Sequence, residues 1–328
     1  MARIAVDAMG GDHAPTEVVW GAIAAAGAGH HLILVGDVER LRPVLADAGA
    51  DIPVVSASEV IEMGDDAARA IRDKRDASVA VAARLVAEGE ADGFVSAGST
   101  GAAMAAAAFI LGRLPGVGRP AIASIFPSRV VLLDSGANVS CRPEDLARFA
   151  VMGSALARIH FDVATPRVGL VNIGEEANKG RELEKETYRL LERTPGIDFV
   201  GNVEGRDLDA DRAEVFVTDG FTGNVILKAA EGASRLTFRL AAEAMADPAL
   251  EEAVAALQPA ITGLRQRLDP DRTGGAHLLG VDGVAVIAHG SSTRVAVASA
   301  IGLAAEGADG DLPRRISEGL ARAGELDA

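Results

Sequence analysis

Apolar and polar residues alternate along this chain in blocks of two kinds. Short runs rich in β-branched and aliphatic residues read as buried strands, and longer stretches with apolar residues every third or fourth position read as helices. Arg3–Ala8, His31–Val35, Ile52–Ser56 and Gly93–Ala97 are strands by this pattern. Val38–Ala48, Ala67–Arg72, Ser78–Glu88 and Ala102–Leu111 carry the helical spacing, and Pro15 is placed to open an earlier helix at its first position. Leu114–Pro120 interrupts the pattern with proline and glycine. Two closely spaced strands follow, Ala121–Phe126 and Val130–Leu133, and then a helix from Pro143 through Ile159.

Val168–Ile173, Phe199–Val203 and Val215–Thr218 are further strands, with a helical pattern starting at Lys179. Val225–Met245 predicts one long helix. Leu250, Val254, Leu257, Ile261, Leu264 and Leu268 form an apolar stripe that Pro259 is expected to split into two short helices. Segments at Gly274–Gly280 and Val284–Ala288, then helices at Arg294–Ala305 and Ile316–Ala323, complete the chain.

Such alternation predicts an α/β fold, a mainly parallel sheet covered by helices on both faces. The punctuation divides it into two subdomains around a cleft. Residues 1–118 with 291–328 form the first, and 119–290 form the second, with a helical projection at about 246–270. Crossover connections put strand C-termini on one edge. The loops at Gly10, Gly98, Gly136, Gly174, Gly220 and Gly290 are therefore expected to gather around one crevice.

Composition narrows what that crevice can hold. Aromatic residues make up 3%, too few for platforms that stack single-stranded bases. A net charge of −15 disfavours a grip on nucleic-acid backbones. One cysteine, Cys141, excludes an internal disulfide and fits a reducing compartment. No apolar run approaches the roughly 20 residues that span a bilayer, and Met1-Ala2-Arg3-Ile4 has no signal-peptide layout. The expected location is cytoplasmic.

The candidate chemistry sits at strand ends. Glu175, Glu176 and Lys179 follow one strand, and Asp7, Gly10, Gly11, Asp12 and His13 follow another. Ser96, Gly98, Ser99, Thr100 and Gly101 join a strand to a helix, a junction whose free N–H groups suit an anion. Asn138, Arg206, Asp219, Asn224 and His289 occupy equivalent polar loops. Other readings stand beside these. The two glutamates can be a solvated turn, Asp12 can cap a helix, and His289 can be structural. A lone Cys141 is more often a small buried residue than a nucleophile. The nucleotide-binding and hydrolase fingerprints are missing, and the histidines are too scattered for a metal motif. What remains suits phosphate or a phosphorylated small molecule.

Val6–Pro15 (VDAMGGDHAP) resembles the opening of the phosphate acyltransferases of bacterial phospholipid synthesis, the PlsX family. So do Ser96–Gly101, Gly136–Asn138, Asn172–Glu176 with Lys179-Gly180, Gly201–Asp207, Asp219–Asn224, Gly274–Ala276 and Ala288–Ser292. The resemblance runs from Arg3 to about Ser292. Three positions depart from it: Ser99 replaces an expected Asn, Ser135 an aliphatic, and His277 a Pro that would constrain a turn.

The resemblance implies a three-layer fold like that of phosphotransacetylases and isocitrate or isopropylmalate dehydrogenases. It implies a homodimer and transfer of an acyl group from acyl-(acyl carrier protein) to inorganic phosphate, and no cofactor is expected. Under it Lys179, Arg206 and the Ser96–Gly101 amides are expected to hold phosphate. Asn224 and His289 are expected to serve the oxyanion or the leaving sulfur, and Glu175 and Glu176 to orient Lys179. Arg265, Arg267 and Arg272 would offer a local basic face to the acidic carrier protein. The acyl phosphate would pass to a membrane acyl phosphate:glycerol-3-phosphate acyltransferase, so the Leu250–Leu268 stripe is a candidate reversible membrane contact, or else a dimer seam. A coenzyme A-dependent short-chain phosphotransacetylase and a membrane-docked scaffold are the alternatives.

Overall fold

Strand pairing carries a single eleven-stranded sheet through the described residues, 1–209 and 211–324, of this computed structural model. The strands are β1 Arg3–Asp7, β2 His31–Gly36, β3 Val54–Ser56, β4 Gly93–Ser96, β5 Ala121–Phe126 and β6 Val130–Leu133. They continue with β7 Arg167–Val171, β8 Asp198–Val203, β9 Val215–Val217, β10 Ala276–Leu279 and β11 Val284–Ile287. Their order is β3-β2-β1-β4-β11-β10-β5-β6-β9-β7-β8.

This order has two parallel blocks of opposite sense. β3, β2, β1, β4 and β11 run one way. β10 is antiparallel to both β11 and β5, and β5 is antiparallel to β6. β6, β9, β7 and β8 are parallel to one another and so are reversed relative to the first block. Loops after β1, β4 and β11 therefore leave one edge of the sheet, and loops after β6, β7 and β9 leave the other. The expectation of a single edge is corrected. The closely spaced strands Ala121–Phe126 and Val130–Leu133 form a hairpin, and a hairpin reverses the chain where a helical crossover does not.

Helices cover both faces. They are α1 Thr16–Gly27, α2 Val38–Asp47, α3 Ala67–Asp73, α4 Ser78–Ala87 and α5 Thr100–Ala106, which a π-helical turn extends to Leu111. The second half supplies α6 Pro143–His160, α7 Glu182–Leu191, α8 Gly220–Met245, α9 Glu251–Arg267, α10 Pro270–Thr273, α11 Arg294–Asp309 and α12 Leu312–Ala323. With few aromatics, the core is aliphatic around Phe94, Phe149 and Phe216, all fully buried. In α6 every residue from Asp145 to Ala157 is buried. Small residues make this possible: a Cβ on Gly153 would stand 2.6 Å from Val215 Cγ1.

Three local expectations change. α8 starts five residues early, because the Asp219 carboxylate accepts from the Thr222 N–H at 2.7 Å and caps the helix ahead of Gly220. Pro259 does not break α9, which runs unbroken through it. The residue is exposed, so the carbonyl it leaves without a helical donor can turn to water. His277 is not in a turn at all. It lies inside β10, paired with Ala123 and Val286, and is buried.

α8 and α9 project from the body. No residue of α9 is buried, and Leu236, Leu240, Leu250, Leu257, Leu264 and Leu268 are all exposed on the pair. Among the described residues no helix is long and apolar enough to cross a membrane.

Candidate functional site

The first half of the site is built where β1, β4 and β11 end. Asp7 closes β1 and is buried. Its carboxylate accepts from the N–H groups of Met9 at 3.2 Å and Gly10 at 3.1 Å and from the Ser96 hydroxyl at 2.6 Å. Ser96 Oγ in turn accepts from the Gly98 N–H at 3.1 Å. Burial raises the Asp7 carboxyl above its ordinary value, against the pull of these donors. Asp7 and Ser96 are thus buried and hold the loops in place through internal hydrogen bonds.

The two loops then meet backbone to backbone. A Cβ on Gly10 would stand 2.8 Å from the Gly98 nitrogen and 2.5 Å from Asp7 Oδ2, so only glycine allows this approach. The Asp12 N–H donates to the Gly290 carbonyl at 2.8 Å, which ties in the loop after β11. Gly11, Asp12, His13, Ser99, Thr100, Gly101 and His289 belong to the resulting cradle. Asp12, His13, Thr100, Gly101 and His289 are exposed. Asp12 does not cap a helix, since Pro15 takes the position before α1. Ser99 Oγ accepts from the Ala102 N–H at 3.4 Å; the first N–H groups of the α5 segment have no helical acceptor and can receive an anion. His289 Nδ1 bonds Ser291 Oγ at 2.8 Å.

On the opposite edge the organising residue is Asp134, which the sequence pattern did not single out. It is fully buried. Oδ1 accepts from the N–H groups of Ile122, Gly136 and Ala137 at 3.2, 3.0 and 2.9 Å. Oδ2 accepts from the Asn138 N–H at 2.7 Å and from Asn138 Nδ2 at 2.8 Å. Asn138 Nδ2 also donates to the Pro120 carbonyl at 2.8 Å, so both of its protons are held by protein acceptors. The signal available beforehand was an Asp followed by Ser-Gly-Ala-Asn, a run that lets a carboxylate collect its own downstream amides.

The first turn of α8 packs onto this loop. A Cβ on Gly220 would lie 2.7 Å from the Asn138 carbonyl oxygen. Asp219 is buried, and besides capping α8 it pairs with Arg181 Nη2 at 2.6 Å. Arg181 also pairs closely with Glu184, and the two carboxylates keep its guanidinium firmly charged. Arg181 is thus a second residue missed in the sequence. Asn224, one turn into α8, stays exposed beside Gly136.

The Lys179 loop leaves the same edge. Lys179 Nζ lies 3.7 Å from Glu176 Oε1. Glu175 turns away to Arg212 Nη1 at 2.9 Å and Arg206 Nη2 at 3.9 Å, and Arg206 also pairs with Glu204 at 2.8 Å. Of the two glutamates, Glu176 lies within ion-pair distance of Lys179, and Glu175 pairs with the arginines instead. Arg212 was missed because nothing marks it locally; it reaches Glu175 from Asp207, which it bonds at 3.2 Å. Asn172 Nδ2 donates to the Lys179 carbonyl at 3.1 Å and fixes the loop at its base.

The arrangement offers backbone donors on one edge, and a lysine with two arginines on the other. It offers no prepared thiolate. Burial, with Asp134 and Asp145 nearby, pushes the Cys141 thiol up to about 12. Among the described residues no group of three or more His, Cys, Asp or Glu side chains could hold a metal ion.

Residues 2–315 match the family described as "Fatty acid synthesis protein". A phosphate acyltransferase from Pelotomaculum thermopropionicum is 49% identical over 317 residues, covering 94% of this chain and 92% of its own. A phosphate acyltransferase from Myxococcus xanthus is 46% identical, covering 98% and 94%. In architecture the chain is similar to a phosphotransacetylase from Streptococcus pyogenes, with TM-score 0.62, 20% identity and 94% of each chain covered. It is also similar to a 4-hydroxythreonine-4-phosphate dehydrogenase from Klebsiella pneumoniae, with TM-score 0.58, 14% identity, and 94% and 100% covered. At these identities the two structures speak for the fold alone.

Proposed function

Because this chain belongs to the phosphate acyltransferase family, an enzyme family, we propose that it moves a fatty acyl group from acyl-(acyl carrier protein) to inorganic phosphate. The products are acyl phosphate, for phospholipid synthesis, and free carrier protein. A phosphate oxygen attacks the thioester carbonyl carbon, a tetrahedral oxyanion forms, and the carbon–sulfur bond breaks as the thiolate leaves and takes up a proton. Phosphate is already a nucleophile, so no side chain need be acylated. What the enzyme must supply is orientation and charge stabilisation.

The observation that carries this reading is the cradle where the Gly10 and Gly98 loops touch, with its exposed rim of amides and hydroxyls. We assign phosphate to that rim together with Lys179 and Arg206, and the oxyanion and leaving sulfur to Asn224 and His289. The two groups leave opposite sheet edges. A sheet twists by roughly 20–25° per strand, which accumulates to on the order of 150° between β1 and β7. With such a twist, strands of reversed sense would again point their C-terminal ends the same way, and we assign the two groups to one cleft between the lobes 1–118 with 291–328 and 119–290.

Hydroxylamine trapping of acyl phosphate tests the reading. Product is expected from acyl-carrier protein and phosphate. Product from acetyl-coenzyme A alone would instead make the chain a short-chain phosphotransacetylase, and no product from either donor would leave a scaffold. The exposed leucines of α8 and α9 support two further parts of the proposal: a homodimer, and reversible contact of a cytoplasmic enzyme with the membrane where its product is consumed.

A further inference from the structure

A cavity of about 570 Å³ opens where β5 ends, between the β5–β6 turn, the end of α6, the last turn of α9, and α11. None of the residues assigned above to phosphate, oxyanion or leaving sulfur lines it. Its size falls in the range of small-molecule sites, about 300–1,000 Å³. Phe126, Phe161 and Leu303 give it an apolar floor, and Arg129, Arg267 and Arg272 converge on it. In a chain of net charge −15, three guanidiniums around one cavity are a concentrated positive field. The carboxylate among the lining residues, Glu306, is already paired with His160 Nδ1 at 2.7 Å.

The arginines are not equivalent. Arg129 holds a positive φ of 66°. Its Nη2 donates to the Phe161 carbonyl at 2.6 Å, and its guanidinium lies 5.4 Å from the Phe161 ring centroid. It is a fixed part of the wall. Arg267 and Arg272 are exposed, and among the described residues their side chains make no hydrogen bond or ion pair. Two free guanidinium forks beside a fixed third match the several oxygens of a phosphate group. The aromatic and aliphatic floor next to them suits a hydrocarbon chain.

We propose that this cavity is a second ligand site, for an amphiphile that carries one phosphate headgroup on an aliphatic chain. Arg267 and Arg272 hold the headgroup, and Phe126, Phe161 and Leu303 take the first carbons of the chain. Such a ligand could be a free acyl phosphate or a phosphatidate headgroup at a membrane surface.

Calorimetric titration of the full chain with decyl phosphate, below its micelle concentration, tests this. One site per chain is expected, with neutral decyl maltoside at least about tenfold weaker. Arg267→Ala/Arg272→Ala should weaken decyl phosphate by about tenfold or more. Gly263→Trp should do the same by filling the cavity, and it should fold, because a Cβ on Gly263 meets nothing within 4 Å. If both variants bind as wild type does, or if decyl maltoside binds as well as decyl phosphate, the proposal is overturned. Displacement of decyl phosphate by phosphatidate vesicles would assign the lipid headgroup as the source, and its absence the free acyl phosphate. Binding is read without turnover, so this result stands apart from the acyl-transfer reading.

Discussion

A Cβ built on Gly223 would lie 1.9 Å from the carbonyl oxygen of Asp134. The first turn of α8 therefore rests directly on the loop that follows β6, and the capping Asp219, Asn224 and the Asp134 hub form one packed unit. Gly223→Ala must push α8 away from that loop. Overpacking of this kind costs about 1–3 kcal/mol, a fall in Tm of roughly 5 °C for a chain of this size. Gly232→Ala lies on the same helix in open space and should be neutral or slightly stabilising. Calorimetric melting of both variants checks the pair, and equal Tm values would remove the role given to Gly223.

Lys179→Ala should lower turnover about a hundredfold or more, the usual loss when one charged stabiliser of a transition state is removed. The side chain is 45% exposed and its ion pair with Glu176 spans 3.7 Å, so stability should change by no more than about 0.5 kcal/mol. A folded variant with near-normal activity would take Lys179 out of the site.

Cys141→Ser should keep its activity if, as proposed, phosphate attacks the thioester directly. The raised thiol makes a companion measurement possible. With its titration pushed up to about 12, Cys141 should react with iodoacetamide at pH 8 at least about tenfold slower than an ordinary thiol, the fall in thiolate fraction outweighing the gain in intrinsic nucleophilicity. Fast alkylation, or an acyl-enzyme trapped on Cys141, would point to a ping-pong route instead.

His277 links stability to pH. Burial, and to a smaller degree the charge of His160, lower its titration from 6.5 to about 3. The unfolded chain takes up this proton first, so the stability that neutral His277 contributes is complete above pH 6.5. It is lost progressively as pH falls from there toward 3, at up to about 1.4 kcal/mol per pH unit. His277→Leu should flatten the dependence of unfolding free energy on pH between 6 and 4. Urea titrations at several pH values read this, and an unchanged slope would show that other groups carry it.

Two uses are proposed for the exposed leucines of α9, a membrane contact or a subunit seam, and one double variant separates them. If the stripe is a membrane contact, Leu257→Glu/Ile261→Glu should keep the wild-type oligomeric state and normal turnover yet fail to float with anionic liposomes. Arg265 and Arg267 each favour such a surface by roughly 1 kcal/mol, opposed by Glu251 and Glu252, so wild-type flotation should be weak and weaken further with salt. A variant that falls to monomers would show that the stripe is a subunit seam.

The order of strands and helices was legible from hydrophobic period alone, because a buried strand and a half-buried helix each impose a spacing on the residues that form them. The glycine loops at Gly10 and Gly98 were legible for a related reason: paired glycines at strand ends mark close backbone approach. The motifs at Val6–Pro15 and Asp219–Asn224 were long enough to indicate the family. Strand direction was not legible. Two strands a few residues apart, at Ala121–Phe126 and Val130–Leu133, look alike whether or not they pair, and only their pairing reversed the second half of the sheet. Partner choice was hidden for the same reason. Asp134, Arg181 and Arg212 are ordinary polar residues in sequence, and they gain their roles from groups up to 38 positions away. His277 looked like a turn residue beside Gly274-Gly275, yet β5 and β11 pair with it on both sides and make it core. Local spacing determines which elements form; burial and long-range pairing determine which polar atoms are held in the frame and which are left facing a ligand.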